Sequence, residues 1–202
     1  LANEINEMTI GLRDRMRMRK SLSLAMEVQR NLLPSESPSF RGLDITGHST
    51  YCDETGGDYY DFLDVIDADE DSAVIAVGDV MGHGVAAAML MATARGILRS
   101  RCSVRGSLSD FLVHLNSMLV PDTGGYRFMT MLLMTVNGRT REIRWSSAGH
   151  GAPLVYDPVE DAFVDLEGAS LPLGLVAGTE YEEYVHQGLP PGSLLIVAAD
   201  GI

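Results

Sequence analysis

The sequence predicts an α+β fold: a layered sandwich of antiparallel sheets with helices on an outer face, introduced by one long helix. Three observations carry the prediction. Residues 1–33 repeat apolar side chains at helical spacing. From residue 43 onward, short apolar or alternating runs are separated by Gly, Pro, Asn, Asp and Ser, the punctuation of strands. The two later helical stretches follow each other between groups of strands, and do not alternate with strands one for one as a parallel βα sheet requires.

In the first segment, Leu1, Ile5, Met8 and Leu12 recur at spacings of four, three and four, and Leu22, Met26 and Leu33 keep the register. Arg15, Arg19 and Gln29 fall on the same seam and interrupt it. The pattern fits a coiled coil with a polar break, and equally a single amphipathic helix packed on the domain. Pro34, Ser35, Ser37, Pro38 and Ser39 end it and form a linker. Leu43, Ile45 and Gly47 then alternate with polar residues as a strand would. Tyr59 to Val65 and Ser72 to Val80 read as two strands joined by the acidic turn 67–71, a hairpin. Val85 to Arg99 reads as a helix rich in Ala (86, 87, 88, 92 and 94), whose small side chains let it lie close on a sheet. Leu108 to Leu119 is the next helix, with Ser107 or Ser109 as its N-cap. Four to six strands follow, over 129–136, 142–147, 153–156, 163–166, 181–186 and 193–199, with Asn137-Gly138 as a hairpin turn.

A chain of 202 residues with 46% hydrophobic content can build one sizeable core plus an appendage. This divides it into a helical segment, 1–33, and a globular domain, 34–202. The net charge of −13 argues against nucleic acid as a partner, because phosphate binding needs a basic surface. Arg13, Arg15, Arg17, Arg19 and Lys20 put five of the fifteen positive charges within eight residues. They read as a solvated helix face, the rival reading being a juxtamembrane or partner-facing patch. The two cysteines, Cys52 and Cys102, lack Cys-x-x-Cys spacing, which points to a reducing compartment and away from a zinc site or disulfide framework. No apolar run reaches the ~20 residues of a membrane-spanning helix. The chain begins inside a helical pattern, and the reading expects a piece of a longer protein at both ends.

Chemistry concentrates where apolar runs end in aspartate. Gly56-Gly57-Asp58 precedes the Tyr59 run, Gly78-Asp79-Val80-Met81-Gly82-His83-Gly84 closes the Ser72 run, and Asp200-Gly201 closes Leu194–Ala199. Glycine beside each aspartate lets the backbone turn sharply and approach a ligand. Carboxylates delivered from separate strand ends suit hard divalent cations such as Mg²⁺ or Mn²⁺. Turn capping explains Asp58 when taken alone, but explains poorly an Asp79 that directly follows a buried strand. The glycines of 78–84 open a helix and could present N–H groups to an anion, although the Gly-Lys-Ser/Thr of a P-loop is missing. Gly56-Gly57-Asp58 continues as Tyr59-Tyr60, so it is not the GGDEF motif of diguanylate cyclases. His150, in Ala148-Gly149-His150-Gly151, reads as a structural hydrogen bonder.

Together these stretches resemble a known family. Met26-Glu27-Val28-Gln29-Arg30-Asn31-Leu32-Leu33-Pro34, Gly56-Gly57-Asp58-Tyr59-Tyr60-Asp61, Gly78-Asp79-Val80-Met81-Gly82-His83-Gly84, Ala148-Gly149-His150 and Asp200-Gly201 occur in the order seen in the SpoIIE/RsbU-type serine/threonine phosphatases, bacterial members of the metal-dependent protein phosphatase 2C superfamily. The resemblance covers about residues 24–202. It implies two antiparallel sheets flanked by helix pairs and a binuclear Mn²⁺ or Mg²⁺ centre. Asp79 would bridge the ions with the Val80 carbonyl on one of them, Asp58 would bind the second, and Asp200 would complete the first. Gly57, His83 and His150 would be accessory. Residues 1–15 look like the last helix of a HAMP signalling module, which implies an upstream membrane sensor, a cytoplasmic catalytic domain and a parallel homodimer through residues 1–33.

The implied reaction is hydrolysis of a phosphoserine or phosphothreonine protein by metal-activated water, with no protein nucleophile. The implied substrate is an anti-sigma-factor antagonist of the STAS fold in a partner-switching pathway. The chain departs from the family in three places. Asp79-Val80-Met81 stands where many eukaryotic members have Asp-Gly-His, so a general-acid role does not transfer to His83. Ala199 stands where Thr or Ser is usual. The family's last helix and strand, with one more metal-binding aspartate, lie past Ile202. These departures motivate the alternative expectation, a non-catalytic pseudo-phosphatase that binds a signalling partner.

Overall fold

The structure, a computed structural model, describes residues 2–50, 55–66, 68–168 and 170–199, with side chains from Asn6 onward. Helix α1 (Ala2–Arg30) comes first, followed by strands β1 (Tyr59–Phe62) and β2 (Ser72–Val80). Helices α2 (Val85–Arg101) and α3 (Leu108–Thr123) are next, and strands β3 (Met129–Asn137), β4 (Glu142–Ala148), β5 (Leu154–Asp157), β6 (Ala162–Val164), β7 (Tyr184–His186) and β8 (Leu194–Ile196) complete the order. The strands form a five-stranded sheet, β1-β2-β3-β4-β7, and a three-stranded sheet, β6-β5-β8, and every pairing is antiparallel.

Alternation along β2 and β3 sends side chains to two different cores. On one face, Val74, Ala76 and Val80 of β2 and Met129, Met131 and Leu133 of β3 meet the helix pair. There α2 presents Ala87, Met91, Ala94 and Leu98, spaced four, three and four, and α3 presents Phe111, Leu112, Leu115 and Leu119. On the other face, Leu132, Met134, Val136, Ile143 and Trp145 of the large sheet meet Val155 of β5 and Leu189. The sequence-predicted sandwich is therefore present: helices on sheet on sheet. Helix α3 starts in a capping box. Ser107 Oγ accepts from Asp110 N at 3.1 Å, and Ser107 N donates to Asp110 Oδ2 at 2.8 Å. It ends at Gly124, whose left-handed backbone (φ +60°) suits a residue without Cβ.

Three local expectations change. Residues 43–47 form no strand, and the segment makes only a bridge between Phe40 and Leu43. Strand β8 stops at Ile196, where the anticipated run continued to Ala199. Leu154 pairs with Ile196, so the next partner on β5 would be Pro153, which has no N–H to donate. Helix α1 does not lie along the domain: Met8 and Leu12 are 75% and 61% exposed, and only its C-terminal end (Gln29, with Leu32 and Leu33 just beyond) packs in. No described helix is long and apolar enough to cross a membrane. The outer face of the small sheet, with Leu154, Phe163 and Leu194 exposed, is not covered by any described helix. Of the cysteines, Cys102 is buried with a free thiol and a pKa pushed up by that burial, and Cys52 lies outside the described residues.

Candidate metal centre

The β1–β2 hairpin builds the site by its register. Tyr59 pairs with Gly78, and the ladder runs one step further because Val80 N donates to Gly57 O at 3.3 Å. Asp58 therefore sits directly opposite Asp79. Tyr59 and Val80 belong to the helix-side core, so the alternate residues, Asp58 and Asp79, face the cleft between the sheets. Two like charges facing each other across a strand pair are destabilising, and a bound cation reverses that sign. Both aspartates are half-buried.

The cleft is a cavity of about 650 Å³, lined by Asp58, Tyr60, Val77, Leu195, Val197 and Ala199 among others. Ala199, the residue before Asp200, thus reaches the cavity that Asp58 lines; Asp200 itself lies outside the described residues. The described residues contain no cluster of three His, Cys, Asp or Glu side chains around a metal-sized space. What they do contain is two opposed carboxylates with the Val80 carbonyl next in the chain, an all-oxygen donor set that fits a hard divalent ion.

Tight turns hold the aspartates. A Cβ on Gly57 would come 2.5 Å from Val80 O and 2.8 Å from Val80 N, so only glycine lets the loop close on β2. Gly84 N donates to Thr55 O at 2.7 Å, stitching the residues before Asp58 to those after Asp79. Gly82 and Gly84 take left-handed φ values of +91° and +83° to bring the chain from β2 into α2. Helix α2 then begins without a side-chain cap. His83 is exposed on this turn.

His150 is 7% exposed and takes the structural part expected of it. Its Nδ1 lies 3.1 Å from Thr130 Oγ1, and its Nε2 lies 3.1 Å from the Ala198 carbonyl. Thr130 is the β3 partner of Asp79, and its hydroxyl is 3.4 Å from the Asp79 carbonyl oxygen.

Several contributors were not visible in the sequence pattern. Gln29, counted there only as an interruption of the helical seam, is buried and donates from Nε2 to Gly56 O at 2.6 Å. Asp61 points to the helix face of β1, away from Asp58, and is fully buried. It accepts from Arg99 Nε and Nη2 of α2, both at 2.7 Å, and from Tyr59 Oη at 3.0 Å. Arg95 Nε lies 3.8 Å away. Burial first, and the Asp61 carboxylate second, push the Tyr59 phenol upward and keep it neutral. The bond to Asp61 pushes the Arg99 guanidinium upward as well. This lock ties β1 to α2 behind the aspartates. Thr130 and Asp61 carry no signal of their own, whereas Gln29 gave a weak one by being polar on an apolar seam.

Comparison with known proteins gives a consistent picture. A family profile described as stage II sporulation protein E (SpoIIE) matches residues 69–202. Over 185 residues the chain is 29% identical to phosphoserine phosphatase RsbU of Bacillus subtilis (strain 168), covering 92% of this chain and 54% of RsbU. The chain spans about half the length of the curated relatives it matches. Among solved structures, the SiaA-PP2C domain of Pseudomonas aeruginosa aligns with a TM-score of 0.71 at 21% identity, covering 93% of this chain and 74% of that one. RsbX in complex with magnesium aligns with a TM-score of 0.57 at 19% identity, covering 73% of this chain and 68% of that one. These two structures share the layered fold described above, in which helices pack on one of two stacked sheets.

Proposed function

This chain belongs to the stage II sporulation protein E (SpoIIE) family, and on that premise we propose that it is a metal-dependent protein serine/threonine phosphatase. The observation that carries the reading is the register placing Asp58 and Asp79 face to face at the rim of the inter-sheet cleft. Asp58, Asp79 and the Val80 carbonyl would hold two Mn²⁺ or Mg²⁺ ions, with Asp200 as the further ligand that the family resemblance implies. The ions, when bound, supply a nucleophile from water near neutral pH and positive charge for the phosphoryl oxygens. The chain's own part is geometric. The Gly57–Val80 contact sets the spacing of the carboxylates, and the open cleft admits an exposed phosphorylated side chain.

The substrate in this reading is a regulatory phosphoprotein, an anti-sigma-factor antagonist of the STAS type. RsbU, the relative with 29% identity, bears the name of a phosphoserine phosphatase, which supports a phosphoprotein over a nucleotide. Residues 1–33 act as a HAMP-like signalling helix that pairs in a homodimer below a membrane sensor, with the catalytic domain, 34–202, in the cytoplasm. Exposure of Met8, Leu12, Met16 and Leu22 on α1 supports the dimer, since a partner helix would cover them.

Phosphate release from an aryl phosphate, followed with and without Mn²⁺ in the wild type and in Asp79→Asn, tests the reading. Metal-dependent turnover that Asp79→Asn nearly abolishes is expected. The variant should fold normally, and its metal-free form should be slightly more stable because a like-charge pair is gone. Turnover surviving in Asp79→Asn refutes the assignment, and a wild type without turnover points to the non-catalytic alternative.

A further inference from the structure

The end of α1 meets the chain on both sides of Asp58. Gln29 Nε2 donates to Gly56 O at 2.6 Å, two residues before the aspartate. Two residues after it, Tyr60 Oη donates to Pro34 O at 3.2 Å, with Gly47 O at 3.3 Å as the competing acceptor. The segment that makes these bonds is stiff. Leu32 N donates to Gln29 O at 3.0 Å and Leu33 N to Arg30 O at 3.2 Å, so the helix closes in tight turns. Pro34 follows with its fixed φ, and Leu32 and Leu33 anchor the turn on the helix-side core. Tyr60 is held as well: a Cβ on Gly47 would overlap its ring, and Phe62 meets it edge-on at 6.0 Å.

Packing alone does not account for glutamine at position 29. The residue is 3% exposed. A carbonyl oxygen only accepts, so the amide nitrogen is the atom that faces Gly56 O, and Oε1 points elsewhere. Among the described residues Oε1 has no hydrogen-bond partner, and neither has the buried Thr55 Oγ1 next to Gly56 in the chain. A buried acceptor without a partner costs more than one ordinary hydrogen bond returns. Gly56 is half-buried, so water could serve its carbonyl instead. A methionine of the same length would therefore fill the position at least as well. What the Gln29 N–H adds is a fixed peptide two residues ahead of a metal ligand. From there the constraint crosses the hairpin: Thr55 O accepts from Gly84 N at 2.7 Å, Gly57 O accepts from Val80 N at 3.3 Å, and Asp58 lies opposite Asp79.

We infer that Gln29 is a positioning residue of the metal centre: together with Tyr60 it clamps the backbone on either side of Asp58, so that this carboxylate stands opposite Asp79 before an ion arrives. The inference rests on the phosphatase reading and gives the end of α1 a share in the site that the motif alone does not assign. Neither clamp residue touches an ion. Without the Gln29 N–H, residues 55–57 keep their bonds to Gly84 and Val80 but lose their tie to α1. The like charges of Asp58 and Asp79 then push the loosened loop outward, and part of the binding free energy goes into drawing it back.

Mn²⁺ binding measured by titration calorimetry tests this on wild type, Gln29→Met, Gln29→His and Tyr60→Phe, with melting of each metal-free protein as the control for folding. Gln29→Met should melt no lower than the wild type and bind Mn²⁺ about 10-fold more weakly, the low end of the range for outer partners of metal ligands, because Gln29 acts through the backbone. Gln29→His restores an N–H of similar reach and should recover most of the affinity. Tyr60→Phe should weaken binding by a smaller factor, since its hydroxyl is shared between two carbonyls. At saturating Mn²⁺, turnover of an aryl phosphate by Gln29→Met should approach the wild-type value, because the loss lies in ordering the loop and not in the chemical step. Wild-type Mn²⁺ affinity in Gln29→Met refutes the clamp, as does a normally folded Gln29→His that binds as weakly as the methionine variant. If Gln29→Met does not fold, Tyr60→Phe decides: wild-type affinity there overturns the inference. A wild type that binds no Mn²⁺ refutes the phosphatase reading itself and this inference with it, whereas wild-type binding with an indifferent Gln29 refutes this inference alone.

Discussion

Gly57→Ala is the sharpest perturbation the site offers, because the obstruction is backbone. The added methyl would lie 2.5 Å from Val80 O, 2.8 Å from Val80 N and 2.8 Å from Val80 Cβ, where ordinary contact begins at 3.4 Å. Val80 cannot give way: it is fully buried, pairs with Met129 on β3 and donates to Gly57 O. The loop must therefore retreat by about 0.9 Å and drag Asp58 away from Asp79. Overpacking of this kind costs about 1–3 kcal/mol, and loss of the Gly57–Val80 hydrogen bond adds about 1 kcal/mol. The larger effect falls on catalysis, where a displacement of about 1 Å at the reacting centre costs ~10²-fold. Gly56→Ala is the matched control, since its Cβ would meet nothing closer than Asp58 N at 3.8 Å. Urea unfolding of both variants, with Mn²⁺-dependent release of phosphate from an aryl phosphate, reads the two effects separately. A Gly57→Ala protein as stable and active as the wild type refutes the register-based site. Equal damage in Gly56→Ala would instead trace the defect to loop mobility.

Three further predictions concern contacts that hold the helices in place. Arg99→Met leaves the fully buried Asp61 carboxylate with only Tyr59 Oη, its neighbouring backbone N–H and a distant Arg95. Breaking a wholly buried pair costs about 3–5 kcal/mol; because Arg99 is half-exposed, about 2–3 kcal/mol is expected here. Urea unfolding measures it, and a loss under about 1 kcal/mol would mean that Arg95 takes over the carboxylate. Ser107→Ala should cost about 1 kcal/mol through the α3 cap. The backbone N–H of Ser107, then its hydroxyl, hold the Asp110 carboxyl below its ordinary value of 3.8. A depressed carboxyl stabilises the fold above its unfolded pKa and loses that contribution as pH falls through the folded one. The stability gap between wild type and Asp110→Asn should therefore be full at neutral pH and close below 3.8 in pH-dependent melting; a gap that persists in acid would show that the carboxyl is not the source.

The helices and paired strands were legible because each announces itself through its own neighbours. The small residues of α2 at 87 and 94, the unbroken apolar run of β2 and the Asn137-Gly138 turn need no distant partner to be recognised. Asp58 and Asp79 were legible for the same reason, since each sits at a glycine-flanked strand end. What the pattern could not carry is any contact whose acceptor is backbone or whose partner is remote. Gln29 is held by the Gly56 carbonyl, 27 positions away, and a carbonyl is the same for every residue type. Asp61 finds Arg99 38 positions on, and nothing in Tyr-Tyr-Asp-Phe distinguishes it from a solvated strand residue. The two glycine-flanked histidines make the point most directly. His83 and His150 both stand between glycines in turns that follow strands, and residue type and local spacing rank them alike. One turn leads out of β2 into an uncapped helix and leaves its histidine exposed. The other buries its imidazole, whose two nitrogens meet the Thr130 hydroxyl and the Ala198 carbonyl, 20 and 48 positions away, and only the fold brings those partners there.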